Sequence, residues 1–275
     1  MSRPAAGLYA VALLAVLVAS CAPVAAPTTP AESRSSPVAS ASAVAPPGSS
    51  VPATTATQSP AAESARPTGS LPAASIQGFE GWTIFNPASV AASADDGTLV
   101  LTLTRRALWF QAQRGALVWK PVDGDFRIAA TVEVARTNDV AAPLDEGGTV
   151  RLGGLMARAD GVRENYVFVV VGADANGLSV ETKTTHDNDS RFEGPDWPAT
   201  AADLRLCRSG STFTMLKRPA GSGDPWAVAA TIDRPDLPPT LQVGPNLYSD
   251  GPPDVTARYE NLVLEPLAAG ARCDA

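Results

Sequence analysis

The sequence predicts an all-β fold, an antiparallel sandwich, in the C-terminal part of a 275-residue chain. Three observations predict it. Runs of alternating residues recur from residue 76 onward, and alternation at period two marks a strand with one buried face. Clusters of Gly, Pro, Asp and Asn, residues that favour turns, separate the runs. After the opening segment no amphipathic helical period appears. Many short strands with turn punctuation point to a sandwich.

The opening segment, MSRPAAGLYAVALLAVLVASCAP, has one basic residue, Arg3, before an apolar run from Ala5 to Ala19. That is the layout of a secretory signal, and the run is short for a membrane span of roughly 20 apolar residues. Val18-Ala19-Ser20-Cys21 resembles a bacterial lipobox. Residues 1–20 then read as a lipoprotein signal peptide and Cys21 as the lipidated residue. Two or more acyl chains anchor firmly where one does not. Ala22 is not the aspartate that holds many lipoproteins at an inner membrane, so the expected location is a cell membrane or outer membrane. The domain itself is exported.

Residues 21–75 are rich in Ala, Pro, Ser and Thr, with no aromatic side chain. Such a composition buries too little surface to offset its ordering entropy, and its prolines favour extended backbone. It reads as a disordered tether. Its charges, Glu32, Glu63, Arg34 and Arg66, cancel. With Arg3 also set aside, the formal net charge of −7 becomes −8 for the domain at 76–275. An acidic domain without a basic cluster argues against nucleic acid as a partner.

Within the domain, DFRIAATVEVAR places Phe126, Ile128, Ala130, Val132 and Val134 on one strand face. Further strands are expected at 98–104, 149–158, 166–172, 178–184, 202–209, 211–218, 240–249 and 255–265. ADDG (94–97), DANG (174–177) and RSGS (208–211) supply hairpin turns. The succession GDFRIAATVEV, GGLMARADGVRENYVFVVVG, LSVETKTTHDNDS, DLRLCRSGSTFTMLKR and VTARYENLVLEPL resembles concanavalin A-like jelly-roll domains. More narrowly, it is similar to a bacterial secreted branch of that superfamily, over Gly81 to Pro266. The resemblance implies a jelly-roll sandwich, a fold that serves lectins, glycan-binding modules, glucanases and adhesive modules alike. Where that branch often carries Ser-Asp-Trp, this chain has His186-Asp187-Asn188-Asp189-Ser190.

With Cys21 assigned to lipid, Cys207 and Cys273 remain. An even pair in an exported protein suggests a disulfide. In LRLCRS, Leu204 and Leu206 share a face and Cys207 lies on the other, away from the main core.

TTHDNDSRFEG, Thr184 to Gly194, holds the only histidine of the chain. Three readings stand. His186 could serve as a general base, but GxSxG, HExxH and the paired strand glutamates of the superfamily's glucanases are all absent, so no catalytic residue is assigned. Asp187, Asn188 and Asp189 could ligate calcium with help from the loop TNDVAAPLDEGG, although EF-hand spacing is missing; no other cofactor is indicated. The plainest reading is a polar loop between strands.

A glycan-binding face combines aromatic platforms with polar groups. Trp109 and Trp197, in irregular stretches, are expected to be exposed, and Trp82 and Trp119 at least partly buried. Arg158, Asn165, Glu181 and Lys183 form a polar strip on neighbouring strands, a solvated outer face, with Tyr166 and His186 nearby. The function expected is non-catalytic binding of a polysaccharide or an envelope protein by a domain held to the membrane through its lipid. The alternatives are a glycan-active hydrolase of the same fold and a structural interaction module.

Overall fold

The structure is a computed structural model that describes residues 76, 78–268 and 270–274. The signal peptide, Cys21 and the tether lie outside the described residues. In chain order the strands are β1 (Thr83–Phe85), β2 (Val90–Asp95), β3 (Thr98–Leu103), β4 (Ala116–Asp123) and β5 (Phe126–Arg136). There follow β6 (Arg151–Arg158), β7 (Tyr166–Asp174), β8 (Gly177–His186), β9 (Asp189–Glu193) and β10 (Ala201–Ser209). The last four are β11 (Thr212–Arg218), β12 (Ala227–Asp233), β13 (Thr240–Ser249) and β14 (Val255–Pro266). Among the described residues the only helical segments are two single 3₁₀ turns, Pro87–Ser89 and Glu146–Gly148.

Two seven-stranded antiparallel sheets form the sandwich. The first runs β1-β4-β13-β6-β7-β8-β9 and the second β12-β11-β10-β5-β14-β3-β2. The fold is thus an all-β antiparallel sandwich, as the alternating runs predict, of the jelly-roll form that the resemblance implies. Phe126, Ile128, Ala130, Val132 and Val134 all face the core between the sheets. Across that core they meet Leu155, Val167, Val169, Val171 and Val243 of the first sheet. Tyr259 reaches from the second sheet to donate its hydroxyl to the Asn246 carbonyl, 2.6 Å away.

Five strands escape the sequence pattern, and each for a local reason. The edge strand β9 is exposed on nearly every residue, so it has no buried face to alternate. β12 is also an edge strand, with little burial. β4 contains Pro121 and begins with three consecutive buried residues. β1 has three residues, all half-buried. β2 is built from alanine, serine and aspartate around one valine, and it occupies the other edge of the second sheet.

Cys207 and Cys273 are bonded across 66 residues. Leu204 and Leu206 point into the core, and Cys207 lies on the opposite face of β10, covered by the C-terminal tail. Arg205 donates to the Cys273 carbonyl at 2.6 Å, and the Leu267 amide to the Asp125 carbonyl at 3.1 Å. A closed loop of this length removes about 4 kcal/mol of unfolded-chain entropy in the loop-closure treatment.

Candidate functional site: a closed outer face and an open edge groove

Strand register places Arg158, Tyr166, Glu181 and Lys183 on one face of the first sheet. Arg158 pairs with Tyr166, and Lys183 with Phe168. Three of the four residues of the expected strip are here, while Asn165 lies just before β7 and binds the hairpin turn instead; the strip is not solvated. Arg158 is 0 % exposed, and Glu181 and Lys183 are each 4 % exposed. The segment between β3 and β4, residues 104–115, folds back over them and carries Trp109 into a second apolar layer. There Trp109 joins Leu117, Leu152, Met156, Tyr166, Phe168, Val170 and Tyr248.

The expectation of an exposed Trp109 is therefore corrected: its side chain is fully buried. It stacks on Phe85 at 5.8 Å and meets Tyr166 edge-on at 5.5 Å. Its indole N–H donates to the Ala116 carbonyl at 3.1 Å. Gly115 is required beneath it, since a Cβ there would lie 2.4 Å from the indole. The other expectations stand differently. Trp82 is buried and Trp119 half-buried, as expected. Trp197, also expected to be exposed, is instead half-buried against the main core, because its N–H is donated to the Ala201 carbonyl and Lys217 lies over its ring at 5.0 Å.

The charged groups of the buried face satisfy one another. Lys183 Nζ contacts Glu181 Oε1 at 2.9 Å and donates to the Trp109 carbonyl at 3.1 Å. Rings of Phe110, Phe168, Phe192 and Tyr248 surround the ammonium at 4.9–5.6 Å, a cation–π arrangement. Burial lowers the Lys183 pKa while Glu181 opposes the shift. Tyr248 donates to Glu181 at 2.9 Å, and burial beside that carboxylate raises its phenol well above the usual range. Burial likewise pushes Tyr166 up to about 12. Nearby, Arg158 grips Glu164 at 2.7 and 2.9 Å and donates to Gln242 at 2.7 Å. Arg114, from the covering segment, reaches the same Glu164 at 2.6 Å.

TTHDNDSRFEG proves to be a hairpin, with β8 and β9 joined through Asp187 and Asn188. Both have positive φ, 48° and 70°, the pair of left-handed residues that a tight two-residue hairpin needs. The turn is docked on the loop before β7. Asn165 donates to Asp187 at 3.2 Å and accepts its N–H at 2.9 Å. Asn188 accepts the Glu164 N–H at 2.8 Å and donates its own to the Glu164 carbonyl at 3.1 Å. Asp187 and Asn188 thus spend side-chain oxygens on fastening the turn, and Asp189 Oδ2 lies 3.9 Å from Arg191. Among the described residues no group of three or more His, Cys, Asp or Glu is arranged to hold a metal ion. The polar-loop reading describes this stretch best, shortened to two residues.

Beside the hairpin lies an open groove between the β8–β9 edge of the first sheet and β12 of the second. It consists of two adjoining hollows of about 330 and 320 Å³ that share Thr184, Arg191 and Ile232. The core fails to close here because the side chains shrink. Val180 still packs in the core, but Thr182 and Thr184 follow it on β8, facing Ala230 and Ile232. One wall is therefore polar, with Thr182, Thr184, Arg191 and Glu193, and the other is small and apolar. Phe192, between Arg191 and Glu193, turns its ring to the other face of β9, beside Lys183 and Phe110. At the far end His186 and Asp189 join Arg234 and Asp236.

His186 Nε2 lies 3.7 Å from Asp236 Oδ2, but that carboxylate is held by Arg234 at 2.7 and 2.8 Å. Arg234 keeps the Asp236 pKa below its ordinary value, chiefly through this hydrogen bonding. Arg234 also donates to Thr184 at 2.7 Å. Of the residues anticipated as ligand-binding, only His186 reaches the groove. Arg191, Thr182 and Thr184 were missed, although the TKT alternation shows polar residues continuing the face on which Val180 lies.

No protein-family model matches the chain, and no curated protein matches it. Solved structures do. A functionally unknown protein from Saccharomyces cerevisiae aligns at TM-score 0.54 with 14% identity, over 69% of this chain and 98% of its own. The xylan β-1,4-xylosidase of Bacillus halodurans C-125 aligns at TM-score 0.52 with 14% identity, over 68% of this chain. This chain spans only 37% of the xylosidase. At such identities the likeness establishes the fold alone.

Replacing Trp109 by alanine removes the largest side chain of the outer layer. The expected cost is about 3–5 kcal/mol in chemical denaturation, well above that of Trp197→Ala. Equal losses in the two variants would contradict the closed outer face.

Proposed function

We propose that this chain is an exported, lipid-anchored binding domain that holds an extended carbohydrate chain in the groove between β9 and β12. The observation that carries the reading is the make-up of the groove. One wall offers hydroxyl, guanidinium and carboxylate groups to sugar hydroxyls, and the opposite wall is small and apolar. Two adjoining hollows in a row suit an extended polymer better than a single pocket would. Sugars present the same mixture, with hydroxyl edges and weakly apolar faces, and ligand sites join apolar surface to a few placed polar groups.

At the His186 end, binding accounts for the groove better than acid catalysis by Asp236 does, since Arg234 holds both oxygens of that carboxylate. A glycosidase needs a carboxylic acid whose pKa is raised so that it can protonate the leaving oxygen. Asp236 is shifted the other way by Arg234. The xylosidase shares the fold over part of its length and is named for action on xylan, which makes xylan a sensible first ligand to try.

The membrane attachment rests on the sequence at Val18-Ala19-Ser20-Cys21, and the proline-rich stretch to residue 75 would let the domain reach away from the surface. Expressed in a bacterium, the native chain should appear in the membrane fraction, and Cys21→Ser should leave it in the soluble fraction. Equal partition of both would remove the anchor from the account.

Binding of the full chain to a polysaccharide panel tests the groove. Saturable binding is expected, weakened about tenfold or more by Arg191→Ala and by Glu193→Ala at unchanged melting temperature. Binding indifferent to both substitutions, or none to any polysaccharide, would contradict the reading.

A further inference from the structure

The groove between β9 and β12 carries more negative than positive charge, and the excess is shared between its two hollows. Register sets Glu193 opposite Thr182, Arg191 opposite Thr184 and Asp189 opposite His186. Alternate residues of a strand share a face and lie about 7 Å apart. One side of β9 thus presents acid, base and acid in a row. At the His186 end Asp233 and Asp236 add two carboxylates, and Arg234 one guanidinium. Four carboxylates therefore line the groove against two guanidiniums and the single histidine.

The guanidiniums are already engaged with two of those acids. Arg234 holds both oxygens of Asp236 at 2.7 and 2.8 Å. Its remaining nitrogen donates to the Thr184 hydroxyl and to the Tyr166 and Thr185 carbonyls. Arg191 lies 3.9 Å from Asp189, and Lys217 stands over Trp197 instead. Glu193 in the first hollow and Asp233 in the second are left, and among the described residues neither forms an ion pair. Asp233 accepts from the Ser211 hydroxyl at 2.5 Å. The first hollow also holds Thr182, only 6 % exposed. Its hydroxyl has no hydrogen-bond partner among the described residues. A polar group so deeply buried is ordinarily paired, so this one is placed to meet whatever fills the hollow.

We infer that the groove prefers a polymer of amino sugars whose amines are free and charged, an inference that rests on its reading as a carbohydrate site. One ammonium meets Glu193 in the first hollow and another meets Asp233 in the second, while Thr182 and Arg191 take hydroxyls. The wall of Ala229, Ala230 and Ile232 lies against ring faces and adds no competing charge. A polyuronate would instead bring like charge to an acidic groove, on a domain whose formal charge is −8.

Calorimetric titration of the full chain with a glucosamine oligomer, its N-acetylated counterpart, a xylo-oligosaccharide and an oligolysine, all of equal length, tests the inference. Exposed ion pairs are individually weak, so the glucosamine oligomer should bind about fivefold more tightly than the acetylated one. That margin should shrink as salt rises. Glu193→Gln and Asp233→Asn keep the shape and remove the charge, and each should lower affinity for the glucosamine oligomer about threefold. Neither should change affinity for the neutral sugars, and Asp95→Asn on β2, at the opposite edge, should change nothing. Equal affinity for the free and acetylated oligomers would overturn the preference and leave the groove as a neutral carbohydrate site. Oligolysine binding as tightly as the glucosamine oligomer, or Asp95→Asn costing as much as Glu193→Gln, would overturn it as well, reducing it to attraction by an acidic surface. Binding of no saccharide at all would overturn the preference and the carbohydrate reading together.

Discussion

A lysine ammonium sealed inside an aromatic layer is the constraint on which the rest of this structure depends. Lys183 lies on the outer face of the first sheet, where a sandwich ordinarily meets water, and its charge is tolerable there only with Glu181 beside it and rings around it. The segment 104–115 completes that enclosure through the Trp109 carbonyl and Phe110. Arg114 ties the end of the same segment to Glu164, which also holds Arg158. Removing the cover would leave a cation, two carboxylates and several rings in water with their geometry lost. The cover is therefore part of the fold, and the face beneath it is closed to polymer ligands.

Closing one face moves the opportunity for binding to the edge. Toward β9 and β12 the inward side chains become threonine and alanine, and the sheets part instead of meeting. The hairpin at Asp187 and Asn188 keeps that edge in place by docking on Asn165 and Glu164. Glu164 thus links the two regions. Its side chain fastens the cover and its backbone fastens the hairpin beside the groove.

The sandwich was legible because strands with one buried face announce themselves. β5 alternates cleanly, and its five expected core residues are all in the core. The cysteine pair was legible too, from parity and alternation in LRLCRS. The cover over the first sheet was not, since RRALWFQAQR has no period and its partners lie far along the chain. A clue was present in YVFVVVG: an unbroken apolar run means a strand buried on both faces, and β7 is buried on nearly every residue. Taken at its word, that run contradicts a solvated strip on the same sheet. The groove was hidden for a different reason, because β9 and β12 are edge strands with little burial and leave almost no alternation to read.

Amide hydrogen exchange on the full chain, free and saturated with a bound polysaccharide, tests the central claim most directly. Slow exchange through Trp109 and its neighbours in the free protein is expected, unchanged on binding, with new protection confined to β8, β9 and β12. Rapid exchange across 104–115 in the free protein, or protection that appears there when the polysaccharide binds, would contradict a closed face and an open edge.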